Sequence, residues 1–366
     1  MQQIINGKES YKQIGALLKK LGVKKYMLVC RPSFFALGLD KYFDCIDIPC
    51  VYFTDFTVNP KYEEICNGVD IFKAEKCDAI VAVGGGSAID VAKCIKVFST
   101  MEKGEIYYKQ ELKDNDIPLI AVPTTAGTGS ESTRFSVFYH YGEKQSIGPE
   151  FLLPEYAFLD ATLLYSLPVY QKKCTLLDAL CQAIESWWSV HSTDESKEYA
   201  KIAVEKIIAN YKAYIFDNDP CATEEIMLGS NYAGRAINIT STTSAHAMSY
   251  KMTTLYGIPH GHAVGVGLAH IWDYMNKNTD KCIDIRGEEY LKQIFCDIAK
   301  ALGGNTAEEG AQIYKNILAE IEIEGPKAQP DEIEILAKSV NIGRLKNNPV
   351  KLDFDTLYNL YSKITK

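Results

Sequence analysis

The chain has 366 residues, 47% hydrophobic and 23% charged, with a formal net charge of −8. That length exceeds what one hydrophobic core usually covers, so two domains are expected, and the composition excludes a disordered, fibrous or membrane-spanning chain. The acidic balance excludes a general nucleic-acid surface but leaves room for a local cationic pocket that takes a small anion.

Residues 1–22, MQQIINGKESYKQIGALLKKLG, read as an amphipathic first helix without the pattern of a secretory signal, and a cytoplasmic protein is expected. The eleven cysteines are scattered and never in a CxxC spacing, as expected of reduced thiols. KYMLVC (25–30), CVYFT (50–54), CDAIVAVGGG (77–86) and IPLIAVPTT (117–125) predict strands, with helical stretches such as 61–76 between them. This alternation predicts a parallel sheet covered on both faces. After residues 151–168 strand signals largely stop and helical periodicity dominates, which places a boundary near Leu167 and Pro168. The expected domains are an α/β unit, 1–167, and an all-α unit, 168–366.

Two glycine-rich loops end predicted strands. The first runs through Gly84, Gly85, Gly86 and Ser87 into a helix expected to start near Ala88. Such a junction lets backbone N–H groups approach a phosphate at a helix N-terminus, although a plain tight turn reads the same way. The second offers Thr124, Thr125, Thr128, Ser130 and Thr133 with two glycines. Its hydroxyls suit ribose and phosphate oxygens, or they satisfy their own loop. Together the loops point to a nucleotide site at the carboxyl ends of parallel strands.

In the helical half, DALCQAIES (178–186) aligns Asp178, Gln182 and Glu185 on a polar stripe. Four of the six histidines, His246, His260, His262 and His270, fall within SAHAMSYKMTTLYGIPHGHAVGVGLAHIW. Pro259 breaks that stretch, so His246 and His260 face each other from consecutive helices, and Asp178 completes a set suited to a divalent transition ion with Gln182 as a weak fourth member. Glu185 is read as satisfying neighbouring backbone.

The motifs GGGSAIDVAK, PTTAGTGSE, DALCQAIE and IPHGHA, in this order, make the chain resemble the group III, iron-containing alcohol dehydrogenases over essentially its whole length. The resemblance implies a dinucleotide-binding α/β domain, a helical domain, and an active site in the cleft between them, on the fold shared with dehydroquinate synthases and glycerol-1-phosphate dehydrogenases. It places pyrophosphate contacts on Gly85, Gly86 and Ser87, and ribose and nicotinamide contacts on Thr124, Thr125, Thr133 and Lys144. Ser33, Gly84, Thr128 and Leu163 complete the expected cofactor set. The family's metal ligands fall on Asp178, Gln182, His246 and His260. Gln182 is a departure from histidine that makes a tightly held iron or zinc doubtful, and Tyr250 stands where the family has another histidine.

DALCQAIESWWSVHSTDES and NYAGRAINITSTTSAHAMSY are similar to the phosphonoacetaldehyde reductase subgroup. The resemblance therefore implies NAD(P)H-dependent reduction of phosphonoacetaldehyde to 2-hydroxyethylphosphonate, in a homodimer. A general alcohol dehydrogenase on short aldehydes and a non-catalytic nucleotide-binding protein are the alternatives. A phosphonate needs a cation, and Arg134, Arg235 and Lys251 are the expected sources. His260 or Tyr250 would donate to the carbonyl oxygen if no metal binds, with His262 relaying the proton to solvent. Arg31 and Ser33 follow the first strand with no carboxylate beside them, which favours NADP over NAD.

Overall fold

Tyr26–Cys30 is buried at every one of its positions, because the sheet it belongs to is covered on both faces. Met27 and Val29 point into one core with Ile80, Ala82 and Leu119, whereas Tyr26, Leu28 and Cys30 point into the other with Val81, Ile120 and Phe158. This alternation between two apolar layers is why these strands read as continuous hydrophobic runs. The computed structural model describes residues 2–366, which divide after Leu167 into two units.

Unit 1 contains strands β1 (Gln3–Asn6), β2 (Tyr26–Cys30), β3 (Cys50–Phe53), β4 (Ala79–Gly84), β5 (Leu119–Pro123), β6 (Ser136–His140), β7 (Glu143–Ile147) and β8 (Tyr156–Leu159). Six of them form a parallel sheet in the order β1-β8-β5-β4-β2-β3. Helices α1 (Ile14–Lys20), α2 (Pro32–Ala36), α3 (Asp40–Phe43), α4 (Tyr62–Ala74) and α5 (Gly86–Phe98) lie between strands.

The expected N-terminal helix is corrected at its start. Gln3–Asn6 pair in parallel with Tyr156–Leu159, and the helix begins only at Ile14. Four residues are too few to display a period, and their partner lies at the far end of the unit. The β6–β7 hairpin also has no counterpart among the expected strands. It turns through Tyr141 and Gly142, at φ 52° and 77°, the doubly positive geometry that suits the twist of a two-residue hairpin.

The described residues of unit 2 fold into helices α6 (Val169–Trp188), α7 (Asp194–Lys212), α8 (Pro220–Thr240), α9 (Ser244–Tyr256), α10 (His260–Lys277), α11 (Glu288–Ala301), α12 (Ala307–Glu320), α13 (Pro330–Ser339) and α14 (Phe354–Ile364). α6 is its central rod, buried almost throughout from Cys174 to Trp188. Gly257 at φ 65° ends α9, and Pro259 caps the start of α10, so the chain reverses within a few residues. α10 then crosses α6 very closely. A Cβ on Gly261 would lie 1.9 Å from the Cys174 carbonyl oxygen, and one on Gly265 would lie 2.8 Å from Leu177 Cδ1. No described helix is long and apolar enough to cross a membrane.

Candidate active site

In unit 1 the two glycine-rich loops are adjacent, since the Thr124 N–H donates to the Gly84 carbonyl at 3.0 Å. The expected helix start moves from Ala88 to Gly86, with Gly85 as N-cap and no side chain capping the first turn. Those first N–H groups are therefore available to an anion. A Cβ on Gly86 would lie 2.9 Å from Thr128 Oγ1 and one on Gly85 3.2 Å from Thr125 Oγ1, so glycine is what lets the loops approach.

Behind the second loop, the buried Lys93 ammonium donates to the Ser130 and Phe135 carbonyls, each at 2.7 Å, and Ser130 Oγ donates to Asp90 Oδ1 at 2.6 Å. Burial pushes Lys93 down to about 8, against the attraction of Asp90 and Glu131. These bonds order the threonine loop from within.

Several expected cofactor contacts are otherwise engaged. The Ser87 hydroxyl donates to the Val58 carbonyl, leaving only its backbone for a phosphate. Leu163 is 4% exposed and packs in the core beneath the sheet with Val122 and Phe158, because its side chain is apolar. Ser33 is exposed in the first turn of α2, and Lys144 lies on β7 opposite Tyr139. Arg31 Nη1 donates to the Phe56 carbonyl at 2.5 Å and its guanidinium lies over the Phe56 ring, which weakens the ground for a 2′-phosphate.

In unit 2, α6, α9 and α10 bring Asp178, His246 and His260 together, with one ligand atom from each lying within 4.8 Å of the others. His246 Nε2 is 3.3 Å and His260 Nε2 4.0 Å from Asp178 Oδ1. Burial alone would raise the Asp178 carboxyl, but the His246 hydrogen bond and the charges of His260 and His246 hold it below its ordinary value.

Glu185 does more than satisfy backbone. Its Oε1 accepts from the Ala245 N–H and the Thr243 hydroxyl, each at 2.7 Å, and its Oε2 pairs with His246 Nδ1. Trp188 Nε1 in turn donates to Thr243 Oγ1 at 3.0 Å. Burial opposes charge on His246, but Glu185 and Asp178 outweigh it and hold the imidazole up at about 9. Gln182 lies beside the cluster, one turn along α6 from Asp178. Its Nε2 donates to Asp178 Oδ1 at 3.3 Å, so it presents a donor to the cluster.

Tyr250 stacks on His260 with planes 3° apart and centroids 5.7 Å apart, and its hydroxyl accepts from Arg344 Nη1 at 2.8 Å. Burial pushes this phenol up to about 12, partly offset by Arg344, so it stays protonated at neutral pH. Ser249 Oγ lies 3.2 Å from His260 Nδ1.

The expected relay through His262 is corrected. Its Nε2 donates to the Glu324 carbonyl at 2.7 Å and its Nδ1 meets the Tyr170 hydroxyl at 2.8 Å, because residues two apart on a helix point to different faces. Two of the expected anion receptors lie against other groups. Arg235 lies over the Tyr199 and Tyr232 rings on the α7–α8 side, and Arg134 lies over Phe135 and faces Glu150 at 3.6 Å in unit 1. Lys251 follows Tyr250 on α9, about 100° around a helix of 3.6 residues per turn.

Glu185 was legible in principle, lying seven residues from Asp178 on one helical face. Arg344, 94 residues from Tyr250, carries no local signal.

Residues 2–161 match the family model described as iron-containing alcohol dehydrogenase, and residues 173–365 match that for the C-terminal part of the Fe-containing alcohol dehydrogenase family. The phosphonoacetaldehyde reductase of Streptomyces viridochromogenes is 31% identical over 300 residues, covering 78% of this chain and 75% of that protein. The 1,3-propanediol dehydrogenase of Citrobacter freundii is 32% identical over 313 residues, covering 82% and 77%. Among solved structures, the sulfoacetaldehyde reductase from Bifidobacterium kashiwanohense in complex with NAD+ is similar at a TM-score of 0.89 and 28% identity, covering 100% of this chain and 97% of that one. The chain belongs to the iron-containing alcohol dehydrogenase family and is an oxidoreductase acting on CH–OH groups.

Proposed function

We propose that this enzyme reduces a small aldehyde with an anionic head, phosphonoacetaldehyde to 2-hydroxyethylphosphonate, using NAD(H). The observation that carries the reading is the convergence of Asp178, His246 and His260 in a chain of this family. One carboxylate and two imidazoles suit Fe²⁺ or Zn²⁺. When bound, such an ion supplies Lewis acidity at the carbonyl oxygen.

The surrounding residues prepare that set. Glu185 binds His246 at Nδ1 and so turns Nε2 towards Asp178, while Gln182 steadies the Asp178 carboxylate. His246 Nε2, 3.3 Å from Asp178 Oδ1, would have to give up its proton to hold such an ion. Tyr250 covers one face of His260 and keeps its proton as a hydrogen-bond donor. In unit 1, the N–H groups at Gly85 and Gly86 receive the pyrophosphate, and Thr124, Thr125, Thr128 and Thr133 offer hydroxyls to the ribose and nicotinamide end. The attachment of Arg31 to Phe56, together with the NAD+ in the solved sulfoacetaldehyde reductase, supports NAD(H) over the NADP expected from sequence. Similarity to a phosphonoacetaldehyde reductase supports the anionic head.

The test is NADH oxidation with phosphonoacetaldehyde and with propanal, before and after chelation and with Fe²⁺ or Zn²⁺ restored. One charge-assisted hydrogen bond contributes about 1.5–3 kcal/mol, so kcat/KM for the phosphonate is expected to exceed that for propanal by about 10-fold or more. Activity is expected to fall on chelation and return with the ion. Equal or better turnover of propanal would overturn the phosphonate substrate and leave a short-chain alcohol dehydrogenase.

A further inference from the structure

The chain has five arginines, and four are held by other partners. Arg31 is bound to the Phe56 carbonyl, Arg134 faces Glu150, and Arg235 lies over Tyr199 and Tyr232. Arg286 is bound to Asp284, Ser189 and Ser192. The fifth, Arg344, sits in the turn Ile342–Asn347, half-buried, with Nη1 on the Tyr250 hydroxyl at 2.8 Å and its guanidinium carbon 5.1 Å from the Tyr250 ring centroid. The same ring stacks on His260. Among the described residues no carboxylate lies within ion-pair distance of Arg344, in contrast to Arg286.

A cation one ring away from an imidazole of the cluster, with most of its N–H fork unused and no acidic partner, is arranged to take an anion from elsewhere. We propose that Arg344, seated by Tyr250, is the receptor for the anionic head of the aldehyde, and that the head is a tetrahedral oxyanion, a phosphonate or a sulfonate. The assignment rests on aldehyde reduction at the Asp178–His246–His260 cluster. The guanidinium fork matches two oxygens of such a group at once, which an ammonium does not. Tyr250 links the two ends, because its ring is stacked on His260 while its oxygen fixes one arm of the fork. Tyr250 and the arginine that binds it thus form one device, and it selects substrates by charge at the end remote from the carbonyl.

The experiment compares wild type, Arg344→Ala, Arg344→Lys and Tyr250→Phe as full-length protein, each checked for an intact melting transition. kcat/KM is measured for phosphonoacetaldehyde, sulfoacetaldehyde and propanal, with inhibition by ethylphosphonate and ethanesulfonate as a readout independent of turnover. In Arg344→Ala the preference for the anionic aldehydes over propanal is expected to fall by about 10–100-fold, the equivalent of one charge-assisted hydrogen-bonded contact, with inhibition by the anions weakening in parallel. Arg344→Lys should recover only part of the preference, and Tyr250→Phe should lose a smaller part. The oxyanion with the larger Arg344-dependent loss is the one the site is built for. If wild type prefers an anionic aldehyde and Arg344→Ala keeps that preference, the receptor role is overturned and the proposed reaction stands. If Arg344→Ala loses activity equally on all three aldehydes, Arg344 only supports Tyr250 and His260, and the receptor role is again overturned. If wild type neither prefers nor is inhibited by either anion, both the receptor and the anionic substrate are overturned.

Discussion

Glu185 is the residue whose role changes most between chain and fold. One carboxylate accepts from Ala245 and Thr243 and also pairs with His246 Nδ1, so it fixes the start of α9 and the direction of the imidazole together. A carboxylate behind a metal-binding histidine sets its tautomer and basicity, and removing it typically lowers affinity by about 10–100-fold. Glu185→Gln keeps the shape and removes the charge. Its Zn²⁺ affinity, measured by competition with a chromophoric chelator, is expected to fall by that amount. Unchanged affinity would reduce Glu185 to a backbone cap. Gln182 is the contrasting case: its place one turn from Asp178 was legible, but only the fold shows its amide nitrogen directed at Asp178.

At the scale of elements, the cluster exists because α10 lies almost against α6. Gly261 is the residue after His260, and a methyl group there would lie 1.9 Å from the Cys174 carbonyl, a backbone atom that cannot rotate away. Gly265, one turn on, meets Leu177. Gly261→Ala must therefore push the two helices apart, at a cost of about 1–3 kcal/mol or more. The separation between His260 and Asp178, now 4.0 Å, would widen with them. A lower urea midpoint together with weaker Zn²⁺ binding is expected, and native binding in a destabilised protein would mean that the crossing does not set the cluster. The sequence marks Gly261 only as part of IPHGHA, since a glycine's need for contact is invisible until the neighbouring helix is placed. The short edge strands were missed for a related reason: Gln3–Asn6 become a strand only because Tyr156–Leu159 are there to pair with.

For the whole molecule, the glycine and threonine loops belong to unit 1 and the Asp178–His246–His260 cluster to unit 2. A ligand that binds only the folded state adds about 2.7 kcal/mol at a hundred times its Kd. Hydrogen exchange is expected to report the division. Saturating NAD+ should slow exchange most in β4, β5 and α5, and Zn²⁺ should slow it most in α6, α9 and the first turns of α10. Equal protection of both sets of elements by either ligand would count against the division of labour.

By itself the sequence determined the alternating α/β first half, the helical second half, the two loops, and the pairing of Asp178 with His246 and His260. Each of these is written in neighbouring residues: strand and helix periods, glycines at a strand end, a carboxylate and imidazoles at helical spacing. Only the tertiary structure decided what surrounds them. It set Glu185 behind His246 across 61 residues and Arg344 on Tyr250 across 94, and it turned Arg235 and His262 to other partners. Those contacts depend on which helix faces pack together, and no local pattern carries that information.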